Sequence, residues 1–239
     1  MNGKTTDPTY NGGGLKRFAV DLLYPNRCPF CDGFIPYDRA CCTECFDSVL
    51  WADELICPVC GKSTRSGCIC PVPYRRCFTA FYYEGKGKYG IKSLKYRSHP
   101  DCAQLYGRVL RDRMDIAGAT EGIDAAVPVP MAPKSLRERG YDQAELIARG
   151  IIKGSDIELL THALRRLDPE REQHTLSAAE RRQEAERQYS AGSDIDKVRG
   201  KVILLVDDVL TTGATLTACT NVLLKNGARQ VICAAAATV

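Results

Sequence analysis

Residues Val202 to Thr215 read Val-Ile-Leu-Leu-Val-Asp-Asp-Val-Leu-Thr-Thr-Gly-Ala-Thr. The first five are apolar and largely β-branched, which predicts a central strand of a parallel sheet, buried on both faces. Ligands of such sheets bind beyond the carboxyl ends of the strands, and Asp207 and Asp208 fall at that end. Ionised carboxylates only accept hydrogen bonds, so the pair suits the two hydroxyls of a ribose diol or a hydrated divalent cation, and it repels bare phosphate. Thr211, Thr212, Gly213, Ala214 and Thr215 then open a segment in which Leu216, Cys219, Val222 and Leu223 recur at helical spacing, up to a stop at Asn226-Gly227. A helix start offers unpaired N–H groups and a partial positive charge, so phosphate binds there readily. A diol site followed at once by a phosphate site is the chemistry this order of residues predicts.

Two simpler readings compete with it, an Asp-Asp turn capping an ordinary helix and a receiver-type phosphoacceptor. The second needs further Asp and Lys strands that the chain does not show. Walker A is excluded by the missing Gly-Lys-Thr, and a Rossmann dinucleotide site by the missing Gly-x-Gly-x-x-Gly. The stretch resembles the signature of type I phosphoribosyltransferases. In that family the acidic pair holds the ribose hydroxyls of phosphoribosyl pyrophosphate (PRPP), and the loop holds its 5-phosphate.

The 239 residues allow one sizeable core plus a small appended module. A hydrophobic content of 44% and a charged content of 26% are those of a globular protein in water. Leu15, Phe18, Ala19, Leu22 and Leu23 are interrupted by Arg17 and Asp21, so the N-terminal segment reads as neither a signal peptide nor a membrane span. The formal charge of +4 does not by itself imply a nucleic-acid partner, although ten Lys or Arg against three acids from Arg75 to Arg113 leave a local excess of seven.

Ten of thirteen cysteines lie between Cys28 and Cys77. Eight of them form four close pairs, Cys28 with Cys31, Cys42 with Cys45, Cys57 with Cys60, and Cys68 with Cys70. The spacing is that of zinc knuckles rather than of a disulfide framework, and it implies a reducing cytoplasm. Tetrahedral zinc with four thiolates has no open position for substrate, so two structural sites are expected. The simplest pairing joins the first two pairs and the last two; a crossed pairing, or Cys41 and Cys77 replacing Cys42 or Cys70, fits the count as well. Some fifty residues with few large apolar side chains cannot close a core alone, so metal binding is expected to supply folding energy. On that reading, chelation unfolds this module and leaves the rest folded.

Phe78 to Tyr83 reads as a strand, and Ile91, Leu94 and Lys95 begin a basic helix that ends at His99-Pro100. Gly85 to Gly87 reads as a break after the strand, and Lys86, Lys88, Lys92, Lys95 and Arg97 around and along the helix form a candidate polyanion surface. Asp124 to Pro130 reads as another strand, whose two prolines place it near an edge or near its own end. Met131 to Arg139 follows as a basic loop. Tyr141 to Gly150 carries Ala144, Leu146, Ile147 and Ala148 on a helix. The single histidines His99, His162 and His174 show no catalytic pattern.

Together the double zinc ribbon, Ile91-Lys-Ser-Leu-Lys-Tyr96, Val127-Pro-Val-Pro130, Arg139-Gly-Tyr-Asp-Gln143 and the acidic-pair motif resemble the ComF family of competence-related phosphoribosyltransferase-like proteins. The resemblance implies an α/β fold with a type I phosphoribosyltransferase-like parallel sheet flanked by helices. It divides the chain into a tail at 1–25, a ribbon at 26–76 and the α/β domain at 77–239, with a hood at about 162–192. It implies that Met131, Ala132, Lys134 and Arg139 receive pyrophosphate, that Gln173, His174 and Arg181 belong to the lid, and that Mg2+ accompanies PRPP beside structural Zn2+. It further implies a cytoplasmic role linked to uptake of external DNA, with transfer of phosphoribosyl to a nitrogen acceptor and no membrane insertion; the rival expectation is a non-catalytic adaptor that senses PRPP or a nucleotide while the ribbon and its basic neighbour hold single-stranded DNA or a helicase partner. The chain departs from the family at Asp142, where Asn is usual, and at Glu170 and Glu184, which replace Thr and Asn in the lid; Gln173, Glu180 and Arg181 match.

Overall fold

The computed structural model describes residues 26–36, 38–64, 68, 70–96, 100–167 and 188–239. The N-terminal tail and the lid residues Gln173, His174 and Arg181 lie outside the described residues.

Five parallel strands form the main sheet. β1 (Arg76–Tyr82), β2 (Ala125–Pro128), β3 (Glu158–Leu159), β6 (Val202–Leu210) and β7 (Gln230–Thr238) lie in the order β1-β7-β6-β2-β3. Central β6 pairs with β7 on one side and with β2 on the other, and Val202 to Val206 are all buried, as an apolar run covered on both faces requires. β2 is an interior strand, so its prolines mark its end rather than a sheet edge: Pro128 is its last residue and pairs with Val206. β6 continues to Leu210, paired with β7 alone. Asp207 and Asp208 therefore sit within the strand, not beyond it, and the early stop of β2 opens a crevice beside them.

Helices cover both faces. α1 (Thr43–Ser48) belongs to the cysteine-rich module. α2 (Gly85–Tyr96), α3 (Cys102–Ile116), α4 (Pro133–Arg139), α5 (Gln143–Ile152) and α6 (Ala214–Lys225) complete the set among the described residues. The segment expected as a basic loop contains α4, which starts with Pro133 in its first turn and ends at Gly140 in the left-handed conformation; both are favoured residues at those positions. α3 and α5 cross closely, because a Cβ on Gly107 would stand 2.6 Å from the Gly150 backbone. A separate antiparallel pair, β4 (Leu164–Arg166) with β5 (Tyr189–Ala191), forms the base of the segment expected as the hood.

The cysteine-rich module shares its core with the sheet. Phe30 and Trp51 stack edge-on against Phe81 at 5.9 and 6.0 Å, and Phe81 meets Tyr106 at 5.0 Å. Cys28, Phe30 and Val49 belong to the same buried cluster as Ile91, Leu94 and Val206. Gly90 permits this approach: a Cβ there would come within 2.7 Å of the Phe30 ring and the Tyr106 hydroxyl.

Candidate functional site

The two cysteine clusters repeat one local design. In the first, the Cys28 N–H donates to the Gly33 carbonyl and the Asp32 N–H returns to the Cys28 carbonyl, both at 2.8 Å. In the second, Cys57 N–H donates to Lys62 and Gly61 N–H to Cys57, both at 2.9 Å. The corresponding turn residues, Asp32 and Gly61, have positive φ of 66° and 75°, and single bridges flank both turns at the same offsets, Arg27 with Phe34 and Ile56 with Ser63. Such a turn directs two thiols to one point. Cys28, Cys31, Cys42 and Cys45 bring their Sγ atoms within 4.8 Å of one another, and so do Cys57, Cys60, Cys68 and Cys70. Zinc–sulfur bonds of about 2.3 Å in a tetrahedron require sulfurs about 3.8 Å apart. Cys31 to Cys42 is 3.8 Å and Cys57 to Cys70 is 3.9 Å, with Cys60 to Cys68 closer at 3.2 Å. The donor sets fit two structural zinc ions in the uncrossed pairing. Cys41 and Cys77 are buried outside both clusters, with Cys41 pushed up to about 12 by burial and the nearby Cys28 and Cys42 sulfurs.

At the carboxyl end of β6 lies a crevice of about 410 Å³. A larger groove of about 760 Å³ runs between the Cys57-Pro58 turn, β1 and α3, but the acidic pair and the helix start that define the chemistry lie in the smaller one. Asp207 and Asp208 line it, together with Thr211 and Thr215. The Asp208 N–H donates to Asp207 Oδ1 at 2.8 Å. Asp207 has a partly accessible surface yet is packed closely by protein, and this desolvation, with repulsion from Asp208, pushes its carboxyl up to about 7. Gly213 takes the left-handed conformation at φ 82° and starts α6 with no side chain to cap it. Ala214 N–H turns to Thr212 Oγ1 at 3.3 Å.

The opposite wall comes from the β2–α5 connection. Met131, Ala132, Ser135 and Arg139 line it, whereas Lys134 is exposed on α4 and is not among the lining residues. Asp142 holds this wall to α5, accepting from the Glu145 and Met131 N–H groups at 3.2 Å each, and burial raises its pKa. Arg139 donates to Gln143 Oε1 at 3.0 Å and lies 5.1 Å over the Tyr96 ring.

Several lining residues escaped the sequence reading. Lys95 Nζ stands 2.8 Å from Asp208 Oδ2; its motif was visible, but periodicity did not separate it from the other lysines of α2. Arg166 and Tyr189 face one another at 5.7 Å from opposite strands of the hood base, and no local pattern announces them. Arg166 Nε has no hydrogen-bond partner among the described residues. His162 is exposed and outside the lining. No helix among the described residues is long and apolar enough to cross a membrane.

An acidic pair and an uncapped helix start at the end of a central parallel strand, with two four-cysteine clusters ahead of them, define a protein that joins zinc ribbons to a phosphoribosyltransferase-type domain. Comparison agrees: residues 19–73 match the double zinc ribbon domain and residues 139–239 the phosphoribosyl transferase domain. The DNA utilization protein YhgH of Escherichia coli O157:H7 is 29% identical over 189 residues, covering 75% of this chain and 82% of its own. Competence protein F of Haemophilus influenzae is 32% identical over 108 residues, covering 45% of this chain and 47% of its own. Competence protein ComFC of Bacillus subtilis is 24% identical over 213 residues, 80% of either chain. The chain belongs to the ComF/YhgH family.

Proposed function

We propose that the crevice binds PRPP and transfers its phosphoribosyl group to a nitrogen acceptor. The observation that carries this reading is the placement of Asp207, Asp208, Thr211 and Thr215 in one crevice with Arg139 and Arg166. Asp207 and Asp208 accept the ribose hydroxyls; the first-turn amides of α6 and the Thr211 to Thr215 loop receive the 5-phosphate. The Met131-Ala132 backbone and Arg139 face the pyrophosphate. As the bond from the anomeric carbon to pyrophosphate oxygen breaks and the bond to nitrogen forms, positive charge grows on the sugar and negative charge on the leaving group, and the nitrogen gives up its proton to solvent. Arg139 stabilises the leaving group electrostatically. The carboxylate oxygens of Asp207 and Asp208 suit the hydration shell of Mg2+, which would enter with PRPP and neutralise pyrophosphate charge.

Relatives named for competence and DNA utilization favour a cytoplasmic role connected with uptake or use of external DNA. The exposed Lys88 and Lys92 of α2 support a second reading, a PRPP- or nucleotide-sensing adaptor that holds single-stranded DNA or a helicase partner. Pyrophosphate release across a panel of bases and amines separates the two. Turnover supports the enzyme, and silence with salt-sensitive binding of labelled single strands supports the adaptor. For the site itself, calorimetry with PRPP and Mg2+ is expected to show one site per chain, lost in the Asp207→Asn, Asp208→Asn double variant while zinc content and fold persist. Full affinity in the double variant overturns the assignment.

A further inference from the structure

Lys95 lies on the same helix as the exposed Lys88 and Lys92, yet it serves a different surface. Ile91 and Leu94 are fully buried in the core shared with the cysteine module, and Gly90 seats the helix against Phe30 and Tyr106. The end of α2 is pinned to the crevice wall: the Tyr141 hydroxyl donates to the Leu94 carbonyl at 2.7 Å, and Arg139 covers the Tyr96 ring. With both neighbours of Lys95 tied down, its side chain reaches the crevice and meets Asp208, where the two side chains are only 24% and 17% exposed. An ion pair so placed is screened far less than one on an open surface.

Charge balance shows what the contact does. The crevice is lined by three carboxylates, Asp142, Asp207 and Asp208, and by three cations, Lys95, Arg139 and Arg166. Without Lys95, two adjacent acids would face an incoming polyphosphate with their mutual repulsion unrelieved, the situation in which a site ordinarily recruits a divalent ion. We propose that Lys95 is a resident counter-cation of the acidic pair, filling at Asp208 the place a protein-held divalent cation would otherwise take. A carboxylate has about four acceptor positions, so Asp208 keeps Lys95 on Oδ2 and still accepts a ribose hydroxyl. Magnesium, on this inference, enters only on the pyrophosphate. The purpose assigned to the pair rests on the PRPP reading above; the ion-pair claim itself does not.

Two measurements on the full-length, zinc-loaded protein keep them distinct. Titration with Mn2+ alone, followed by electron paramagnetic resonance, is expected to show no tight site in the wild type. Lys95→Met is expected to gain one at least about tenfold tighter, because a charge in contact with Asp208 has been removed, and adding Asp208→Asn abolishes it. Lys95→Arg retains the charge and behaves as wild type. A wild-type Mn2+ site that Asp208→Asn removes, or unchanged Mn2+ affinity in Lys95→Met, overturns the inference. Calorimetry with PRPP and no added Mg2+ is expected to show binding by wild type and Lys95→Arg, weakened at least about tenfold in Lys95→Met. Equal metal-free affinity in all three also overturns it. If the wild type binds no PRPP with or without Mg2+, the functional reading fails, and the Mn2+ titration still decides the role of Lys95.

Discussion

Asp207 holds a carboxylate where water is scarce and a second acid is adjacent, which raises its pKa to about 7. In the unfolded chain the same group titrates near about 4. Between these values the folded protein keeps a proton the unfolded chain has lost, so folding stability falls as pH rises through this window, and the full penalty is present above it. Asp207→Asn therefore is expected to raise Tm at pH 8 and to leave it nearly unchanged at pH 4, which thermal melts in matched buffers will show. A gain of equal size at both pH values contradicts the ionisation account. Gly213 imposes the opposite demand. Its φ of 82° costs an ordinary L-residue roughly 1–2 kcal/mol, so Gly213→Val is expected to lose about that much stability by urea denaturation and to weaken phosphate binding. At this scale the sequence was informative wherever chemistry is local: paired acids, a Thr-rich turn and paired cysteines stand side by side in the chain. Lys95, Arg166 and Tyr189 were not legible, because the ends of α2, β4 and β5 meet the crevice only through tertiary packing.

The elements explain why that crevice exists. β2 stops at Pro128 while β6 runs on to Leu210, so the acids lose their neighbour on one side and gain an opening. Alternation and apolar runs were enough to find β6, α5 and α6 and to foresee an end near the prolines. They did not show that β2 is an interior strand, since pairing is a property of the sheet, nor that the basic loop contains a helix, since seven residues from Pro133 to Arg139 bury no side chain and carry no amphipathic stripe. The α3–α5 crossing rests on Gly107 against Gly150. Gly107→Ala places a methyl 2.6 Å from backbone, and overpacking of this kind costs about 1–3 kcal/mol. Urea denaturation is expected to show that loss; an unchanged midpoint contradicts so close a crossing.

For the whole molecule, the zinc module and the sheet are one packed body. From composition, the cysteine-rich segment was expected to unfold alone when its metal is removed. Phe30 and Trp51 instead pack against Phe81 in a common core, and Tyr74 from the second ribbon reaches the Cys60 carbonyl at 3.3 Å beneath the Gly213 turn. Stripping both zinc ions with a strong chelator is therefore expected to lower Tm for the entire chain in one transition, read by far-UV and near-UV circular dichroism together. Early loss of the module with an unchanged main transition contradicts that coupling. This cooperation was hidden in the sequence because the aromatic residues that create it are spread from Phe30 to Tyr106. The central claim remains the sugar-phosphate site. Its most direct test is a crystal of the zinc-loaded protein soaked with PRPP and Mg2+. The account predicts the diol on Asp207 and Asp208 and the 5-phosphate at the start of α6; an empty crevice, or PRPP held elsewhere on the molecule, contradicts it.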